Sequence, residues 1–236
     1  MLRGTRLTPA ENHLIEMLPQ GDRRHLLSVA EPVTLSFGEV LCQCGASTRH
    51  VYFPVDGFIS LVTAVDGHDG VEVGMVGREG MLGAPLALGI GAAPWRSLVQ
   101  GPGSAWRIGV APFRRELASS AALQRAVHRY LFVLLAQLAT SAACMRFHEI
   151  GPRLARWLLM TQDRAHADRF SVTHEFLACM LGVRRVGITL AAGGLQRRGL
   201  IEYHRGRVGV LDRAGLEAAA CSCYAVDRQG YRERLG

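Results

Sequence analysis

Residues 171–212 read SVTHEFLACMLGVRRVGITLAAGGLQRRGLIEYHRGRVGVLD, and this stretch decides the fold of the C-terminal part of the chain. Thr173 is a residue type that caps helices, and the apolar positions after it recur at helical spacing as far as Leu181. Gly182 supplies the left-handed conformation in which many helices end. The pattern therefore predicts a short helix over residues 174–181 that stops at a tight turn.

A second helix is predicted from Arg184 to Arg198, because its apolar residues recur every three or four positions. These residues are Ile188, Ala191, Ala192 and Leu195. Two helices joined by a tight glycine turn are typical of a helix-turn-helix. Arg184 and Arg185 fall in the first turn of the second helix, which is where a recognition helix reaches base edges in the major groove.

A hairpin is predicted after Gly199, with residues 200–203 and 208–211 pairing around a cationic tip at residues 204–207. From Arg184 to Arg213 there are seven arginines against two acids, a net charge of +5 out of +7 for the whole chain. This concentration of positive charge suits the phosphates of double-stranded DNA, with Arg205 and Arg207 gripping them from the hairpin. A basic helical domain that contacts protein instead remains the alternative.

The composition is that of a globular protein, with 49% hydrophobic and 20% charged residues in 236. Every one of the 27 basic residues is arginine, which we interpret as genomic base composition because the bias covers the whole chain. The longest apolar run, Tyr130 to Ala136, is too short for a membrane span. With no export signal visible, we expect a soluble cytoplasmic protein whose six cysteines are reduced thiols.

The N-terminal half opens with a predicted helix from Thr8 to Val29 and then changes character. From Glu31 to Ile108, short β-rich runs alternate with glycine-bearing turns, which predicts a small antiparallel roll.

One long helical pattern, from Ala121 to Glu149, follows the roll without a glycine or proline, and Gly151-Pro152 breaks it. Its apolar stripe needs a partner, and a second subunit is the simplest one, although packing on the chain's own β-rich domain stays open. The predicted dimer contacts are Val127, Leu131, Leu134, Leu138 and Met145.

We therefore expect an α+β protein in three parts. These are an N-terminal antiparallel, jelly-roll-like β-roll in residues 1–118, a dimerisation helix in residues 119–150, and a winged helix-turn-helix in residues 151–236.

The sequence resembles the Crp/Fnr family of bacterial regulators over nearly its whole length, most specifically in residues 173–190, in residues 199–201 and in residues 153–159. The resemblance implies a cyclic-nucleotide-binding-like sensor domain, a homodimer and near-palindromic DNA operators. It also implies RNA polymerase as a further partner.

Carried over position by position, the resemblance assigns roles to the residues of the helix-turn-helix. Thr173 and Glu175 match positions that touch the DNA backbone, and Arg185 matches an arginine that reads guanine. Val186 and Leu190 depart from the family at two other base-reading positions, so we expect an atypical operator, with Arg184 and Thr189 sharing the reading.

The sensor domain departs further from the family. Gly83-Ala84-Pro85 stands where members that bind cyclic AMP have a glycine–glutamate pair for the ribose, whereas Arg96-Ser97 resembles their phosphate-binding pair. Gly83, Arg96 and Ser97 are the candidate effector residues. Cyclic AMP, another small-molecule or nucleotide ligand, and no ligand at all stay open, and no cofactor is assigned.

Two cysteine pairs, Cys42-x-Cys44 and Cys221-x-Cys223, invite a metal or redox interpretation, but their spacing is tighter than that of common zinc sites. We therefore assign no metal site and interpret His128 and His148 as structural. No catalytic motif is recognisable, so we expect no enzyme. The alternatives to a DNA-binding regulator are a ligand-binding signalling module that acts through protein contacts and a regulator that senses metal or redox state.

Overall fold

A computed structural model describes residues 11–64, 66 and 70–235 of the chain. Two short helices come first, α1 (His13–Glu16) and α2 (Gln20–Ser28), where a single helix was predicted. Pro19 precedes α2, lacks a backbone N–H and separates the two. The predicted start at Thr8 lies outside the described residues.

A β-roll follows, as predicted, and it consists of two antiparallel sheets with the strand orders β1-β7-β3 and β2-β6-β4-β5. The strands are β1 (Glu31–Leu35), β2 (Val40–Cys42), β3 (His50–Pro54), β4 (Phe58–Thr63), β5 (Val71–Val76), β6 (Arg96–Gly101) and β7 (Gly103–Gly109). A 3₁₀ helix, Ala84–Leu88, lies between β5 and β6. The core of the roll is made of buried side chains from both sheets, such as Phe53, Ile59 and Ile108.

Two helices, α3 (Val110–Ser119) and α4 (Ala121–Phe147), leave the roll. Ser120 caps α4, its side-chain oxygen accepting a hydrogen bond from the Leu123 backbone N–H at 3.0 Å. One face of α4 packs into the core of the roll, and Val127 and Leu134 are buried there. These two residues were expected at a dimer interface, but they contact their own subunit because the helix is apolar around most of its circumference.

By length and composition alone, α4 is apolar enough to cross a membrane. Its packing provides another reason for that composition, since one side lies on the roll and another on the last helix of the chain.

The C-terminal part contains five helices and three strands among the described residues. They are α5 (Ile150–Ala165), β8 (Arg169–Ser171), α6 (His174–Leu181), α7 (Arg185–Arg197), β9 (Ile201–His204), β10 (Arg207–Val210), α8 (Arg213–Ala219) and α9 (Cys223–Leu235). The chain leaves α4 at His148, and Pro152 sits in the first turn of α5, where its missing N–H costs nothing. The long helix therefore ends slightly before the break that was predicted at Gly151-Pro152.

The C-terminal domain rests on the β-roll. Trp157 Nε1 on α5 donates a hydrogen bond to Glu72 Oε1 on β5 at 2.9 Å. Arg164 Nε on the same helix pairs with Glu79 Oε1 at 2.8 Å. These two contacts fix α5 against the roll, and desolvation at this junction raises the pKa of Glu72 to about 7.

Helix α9 returns to the first half of the molecule. It packs along α4, and Leu235 in its last turn is buried in the core of the roll. The last element of the chain is therefore part of both halves.

Candidate nucleic-acid interface

Helices α6 and α7 form the predicted helix-turn-helix. Thr173 caps α6, its hydroxyl oxygen accepting a hydrogen bond from the Phe176 backbone N–H at 3.1 Å. Gly182 ends the helix in the left-handed conformation, with φ 62° and ψ 42°. The chain bends by 108° between the two helices, an angle typical of this motif.

The two faces of α7 differ in chemistry. Ile188, Ala192 and Leu195 are buried against α5 and α6 in the core of the C-terminal domain. On the opposite face, the side chains of Arg184 and Arg185 are exposed. The sequence predicted both the buried stripe and the exposed arginines.

Two apolar side chains share that outer face. Val186 is 62% exposed and Leu190 is 70% exposed. Large apolar side chains so exposed on a short helix are unfavourable in water unless something covers them. The outer face of α7 is therefore cationic at the N-terminus of the helix and apolar farther along it.

His174 links the first helix of the motif to the second. Its Nδ1 lies 3.0 Å from Thr189 Oγ1, whose hydroxyl also donates to the Arg185 carbonyl oxygen at 3.2 Å. Burial and the nearby Arg185 lower the pKa of His174, which favours its neutral form. The hydroxyl of Thr189 is therefore engaged within the motif, although the residue is exposed as expected.

Tyr203 joins the wing to the same contact. Its ring packs 4.5 Å from that of His174, and its hydroxyl donates to the Val172 carbonyl oxygen at 2.6 Å. Sequence reasoning missed His174 and Tyr203, because their contact joins residues 29 positions apart through tertiary structure alone.

The wing is the β9–β10 hairpin, and β8 pairs with β10 as a third strand. Its two-residue turn has positive φ at both positions, 47° at Arg205 and 76° at Gly206. Positive φ at both positions matches the right-handed twist of the paired strands. The Gly206 carbonyl accepts a hydrogen bond from the Val172 N–H at 2.8 Å, which holds the turn beside the start of α6.

The seven predicted DNA contacts are all exposed. They are Thr173, Glu175, Arg184, Arg185, Thr189, Arg205 and Arg207. Of the seven arginines between residues 184 and 213, Arg213 alone forms an ion pair within the described part of the chain, with Asp163 and Glu217. Cationic groups without acidic neighbours leave a positive surface for an anionic partner.

Comparison with known proteins agrees with this geometry. Residues 152–219 match the family of Crp-like helix-turn-helix domains. No curated protein is significantly similar to this chain in sequence.

Solved structures of Crp/Fnr regulators share the fold of both halves. A CRP/FNR-family transcriptional regulator from Thermus thermophilus is 20% identical, with a TM-score of 0.66 over 80% of this chain and 98% of its own. FixK2 from Bradyrhizobium japonicum is 12% identical, with a TM-score of 0.67 over 82% and 98%. The chain therefore contains a Crp-like helix-turn-helix domain in residues 152–219, within a fold that solved Crp/Fnr regulators share.

Only two of the three candidate effector residues lie around the same cavity. Gly83 and Ser97 line one cavity of about 20 Å³, and Arg96 is not among the residues around it. That volume is room for about one water molecule. The Ser97 hydroxyl is buried and has no hydrogen-bond partner among the described residues.

Gly83 has a structural reason to be glycine. It adopts φ +92° at the start of the 3₁₀ helix, and a Cβ there would lie 2.8 Å from Val51 Cγ1. Cys42 lines the same cavity, and burial raises the pKa of its thiol. This cavity is thus small, and Arg49 is the arginine that lines it.

The two cysteine pairs occupy different places in the fold. Cys42 and Cys44 belong to the β-roll, and Cys44 is exposed. Cys221 and Cys223 are buried beside α4, together with Cys144 and His148. The sequence pattern did not connect these last two residues with the second pair.

Proposed function

We propose that this protein is a sequence-specific, cytoplasmic DNA-binding regulator that acts as a homodimer on near-palindromic operators. The observation that carries the proposal is the outer face of α7, where Arg184 and Arg185 are exposed and form no ion pair among the described residues. A helix presented in this way fits the major groove of B-DNA.

Base reading falls to the first two turns of α7. Arg185 can donate two hydrogen bonds to guanine, which is the commonest specific contact of an arginine. Val186 and Leu190 offer no hydrogen bonds, but their exposed apolar groups suit the methyl groups of thymine. We therefore propose operators in which thymines flank the guanine.

Backbone contacts come from the elements around the recognition helix. Arg205 and Arg207 on the wing, with Arg184 at the start of α7, can neutralise phosphates. Thr173 and Glu175 lie at the start of α6, where the backbone N–H groups of a helix also face an anion. These contacts would set the position of the protein on DNA and contribute equally on every sequence.

The dimer interface we propose is a seam along the outer side of α4, at the edge of its contact with the roll. Leu131, Leu135, Leu138, Ala142 and Met145 recur at alternating spacings of four and three residues. Leu135 is 64% exposed and Met145 and Ala142 are exposed, whereas Leu131 and Leu138 are half-buried because they also pack against the core of the roll. This heptad spacing is that of a coiled-coil seam, and a second copy of the chain would cover it.

The β-roll would act as the sensor by changing how the C-terminal domains are held. With a cavity of about 20 Å³, an effector at Gly83 and Ser97 would have to bind a more open conformation and so shift the population toward it. RNA polymerase is the partner that a regulator on a promoter would meet.

The test is selection of bound sites from random DNA, followed by titration of Arg185→Ala on the selected site. We expect that variant to bind about 10- to 100-fold more weakly and to relax the preference at one base pair of each half-site. Arg115→Ala, at an exposed arginine on α3, is the matched control and should bind as the unmodified protein does.

Equal losses on selected and random DNA would contradict a reading role for Arg185. Failure of the unmodified protein to enrich any sequence would contradict the proposal as a whole. In that case the basic surface would serve protein contacts.

A further inference from the structure

Four potential metal ligands meet where α4 ends. Cys144 lies in the last turn of α4, and His148 follows that helix. Cys221 lies in the connection between α8 and α9, and Cys223 is the first residue of α9. Their ligand atoms all lie within 4.8 Å of one another. Cys144 Sγ is 3.5 Å from Cys221 Sγ, and Cys223 Sγ is 3.6 Å from His148 Nδ1.

These distances match the edges of a tetrahedron around one small ion. Zinc bonds of about 2.3 Å to sulfur and about 2.0 Å to nitrogen place the sulfur atoms about 3.8 Å apart and sulfur about 3.5 Å from nitrogen. A disulfide would need a sulfur–sulfur distance of about 2.05 Å, so the thiols are not bonded to one another. The arrangement therefore suits coordination of an ion between the four groups.

We propose that Cys144, His148, Cys221 and Cys223 form a Cys₃His site that binds one zinc ion. Three sulfurs and one imidazole nitrogen complete four-coordination, so the site has no open position and would be structural rather than catalytic. The three cysteines are buried, as structural zinc ligands usually are. Donor atoms so close together surround a single point, which argues against a cluster of several iron atoms.

The surroundings favour the ionised thiols that zinc needs. Arg156 lines the same small cavity as Cys144, and its guanidinium also pairs with Asp227 at 2.7 Å. A cation beside a cysteine stabilises the thiolate. Bound to three thiolates, a zinc ion would leave a net charge of −1 next to this arginine.

The position gives the site a mechanical role. It would tie the end of the long helix to the segment that leads into α9, and these two segments are more than 70 residues apart in sequence. Because the ligands come from both sides of this joint, metal binding would contribute to folding there. The bound ion would hold the DNA-binding domain at a fixed angle to α4.

Metal content tests the proposal without any DNA. We would purify the full chain without a polyhistidine tag and measure zinc by mass spectrometry, expecting about one ion per chain. Replacement by Co²⁺ should give the visible absorption bands of tetrahedral thiolate coordination. Failure of DNA binding would leave this result unaffected, so the two proposals can fail separately.

Variants locate the ion. Cys221→Ser and His148→Ala should lose most of the zinc, whereas Cys44→Ser and Cys179→Ser, at cysteines outside the cluster, should keep it. If a cluster variant fails to fold, titration of the unmodified protein with a chelator gives the same information, because release of zinc should loosen the fold cooperatively.

Four outcomes would overturn the proposal. Folded protein purified without stoichiometric metal would do so, as would full zinc content in the cluster variants. Iron accompanied by acid-labile sulfide, or a disulfide between Cys144 and Cys221, would replace it with different chemistry.

Discussion

At the scale of residues, Arg205 is unusual because it combines an unfavourable backbone conformation with a candidate contact to DNA. Its φ of 47° costs an ordinary residue about 1–2 kcal/mol relative to glycine, whereas asparagine tolerates this region well. Asn-Gly is also the preferred sequence for a hairpin turn of this type. Stability therefore does not explain an arginine at position 205, whereas the proposed contact with DNA does.

The variant Arg205→Asn should separate stability from DNA binding. We expect its melting temperature to be equal or higher, because the turn is better satisfied. Its affinity should fall on all DNA sequences, and the slope of log K against log salt should become shallower by about 1 per bound subunit. Thermal unfolding and binding at several salt concentrations measure the two effects.

A matched variant, Arg115→Asn on α3, should change neither the affinity nor the slope. An unchanged slope for Arg205→Asn would mean that the tip of the wing does not touch phosphate.

Sequence could find the residues of the recognition surface because each lies at a fixed place in a local pattern. Arg184 and Arg185 follow a glycine turn, and Arg205 sits between two strand-like runs. Sequence reasoning could not find the contact of the His174 ring with Tyr203 or that of Cys144 with Cys221. Those contacts depend on how whole elements pack, and no short spacing records them.

At the scale of elements, α4 shows that an apolar stripe on a helix does not indicate which surface covers it. The pattern predicted the helix nearly to its observed end, but it mixed two faces. Val127 and Leu134 are buried in the core of the roll, Leu131 and Leu138 pack partly against that core, and Met145 is exposed. Short strands such as β2 and β8, of three residues each, have too little periodicity to be predicted.

The variant Leu135→Glu should disrupt the proposed dimer. Burial of a leucine contributes about 1.5–3 kcal/mol, and the substitution acts twice in a symmetric dimer. We therefore expect dimerisation to weaken by at least about 100-fold, seen as monomer in sedimentation velocity at micromolar concentration.

Leu88→Glu is the control, because this leucine is similarly exposed but lies outside α4. An unchanged dimer in Leu135→Glu would place the interface on another surface.

At the scale of the whole molecule, the junction between the roll and the C-terminal domain is sensitive to pH. Desolvation raises the pKa of Glu72 from 4.5 to about 7, although hydrogen bonds from Ser60 and Trp157 and the charges of Arg164 and Arg156 oppose this. Between these two values the folded protein binds more protons than the unfolded chain does. Stability therefore falls as the pH rises through this range.

The variant Glu72→Gln should remove that dependence. Glutamine can still accept the hydrogen bond from Trp157 and cannot ionise, so it should raise the free energy of unfolding at pH 8 by up to about 3 kcal/mol. Near pH 4.5 the variant and the unmodified protein should be similar. Urea unfolding at both pH values measures the difference.

The exposed Glu31 provides the comparison, because its hydrogen bond with Arg107 lowers its pKa instead. Glu31→Gln should not raise the free energy of unfolding at pH 8. An increase equal to that of Glu72→Gln would mean that the effect does not come from the junction.

The return of α9 to the roll limits how this protein can be taken apart. Leu235 and Tyr231 pack with the first half of the chain, so a fragment that ends near residue 150 would lose part of its own interior. A fragment that starts near residue 150 would expose the apolar side chains of the last turns of α9. Chimeras that join this β-roll to the DNA-binding domain of a different protein should therefore keep α9 with the roll, since an exchange at the end of α4 would cut through a shared interior.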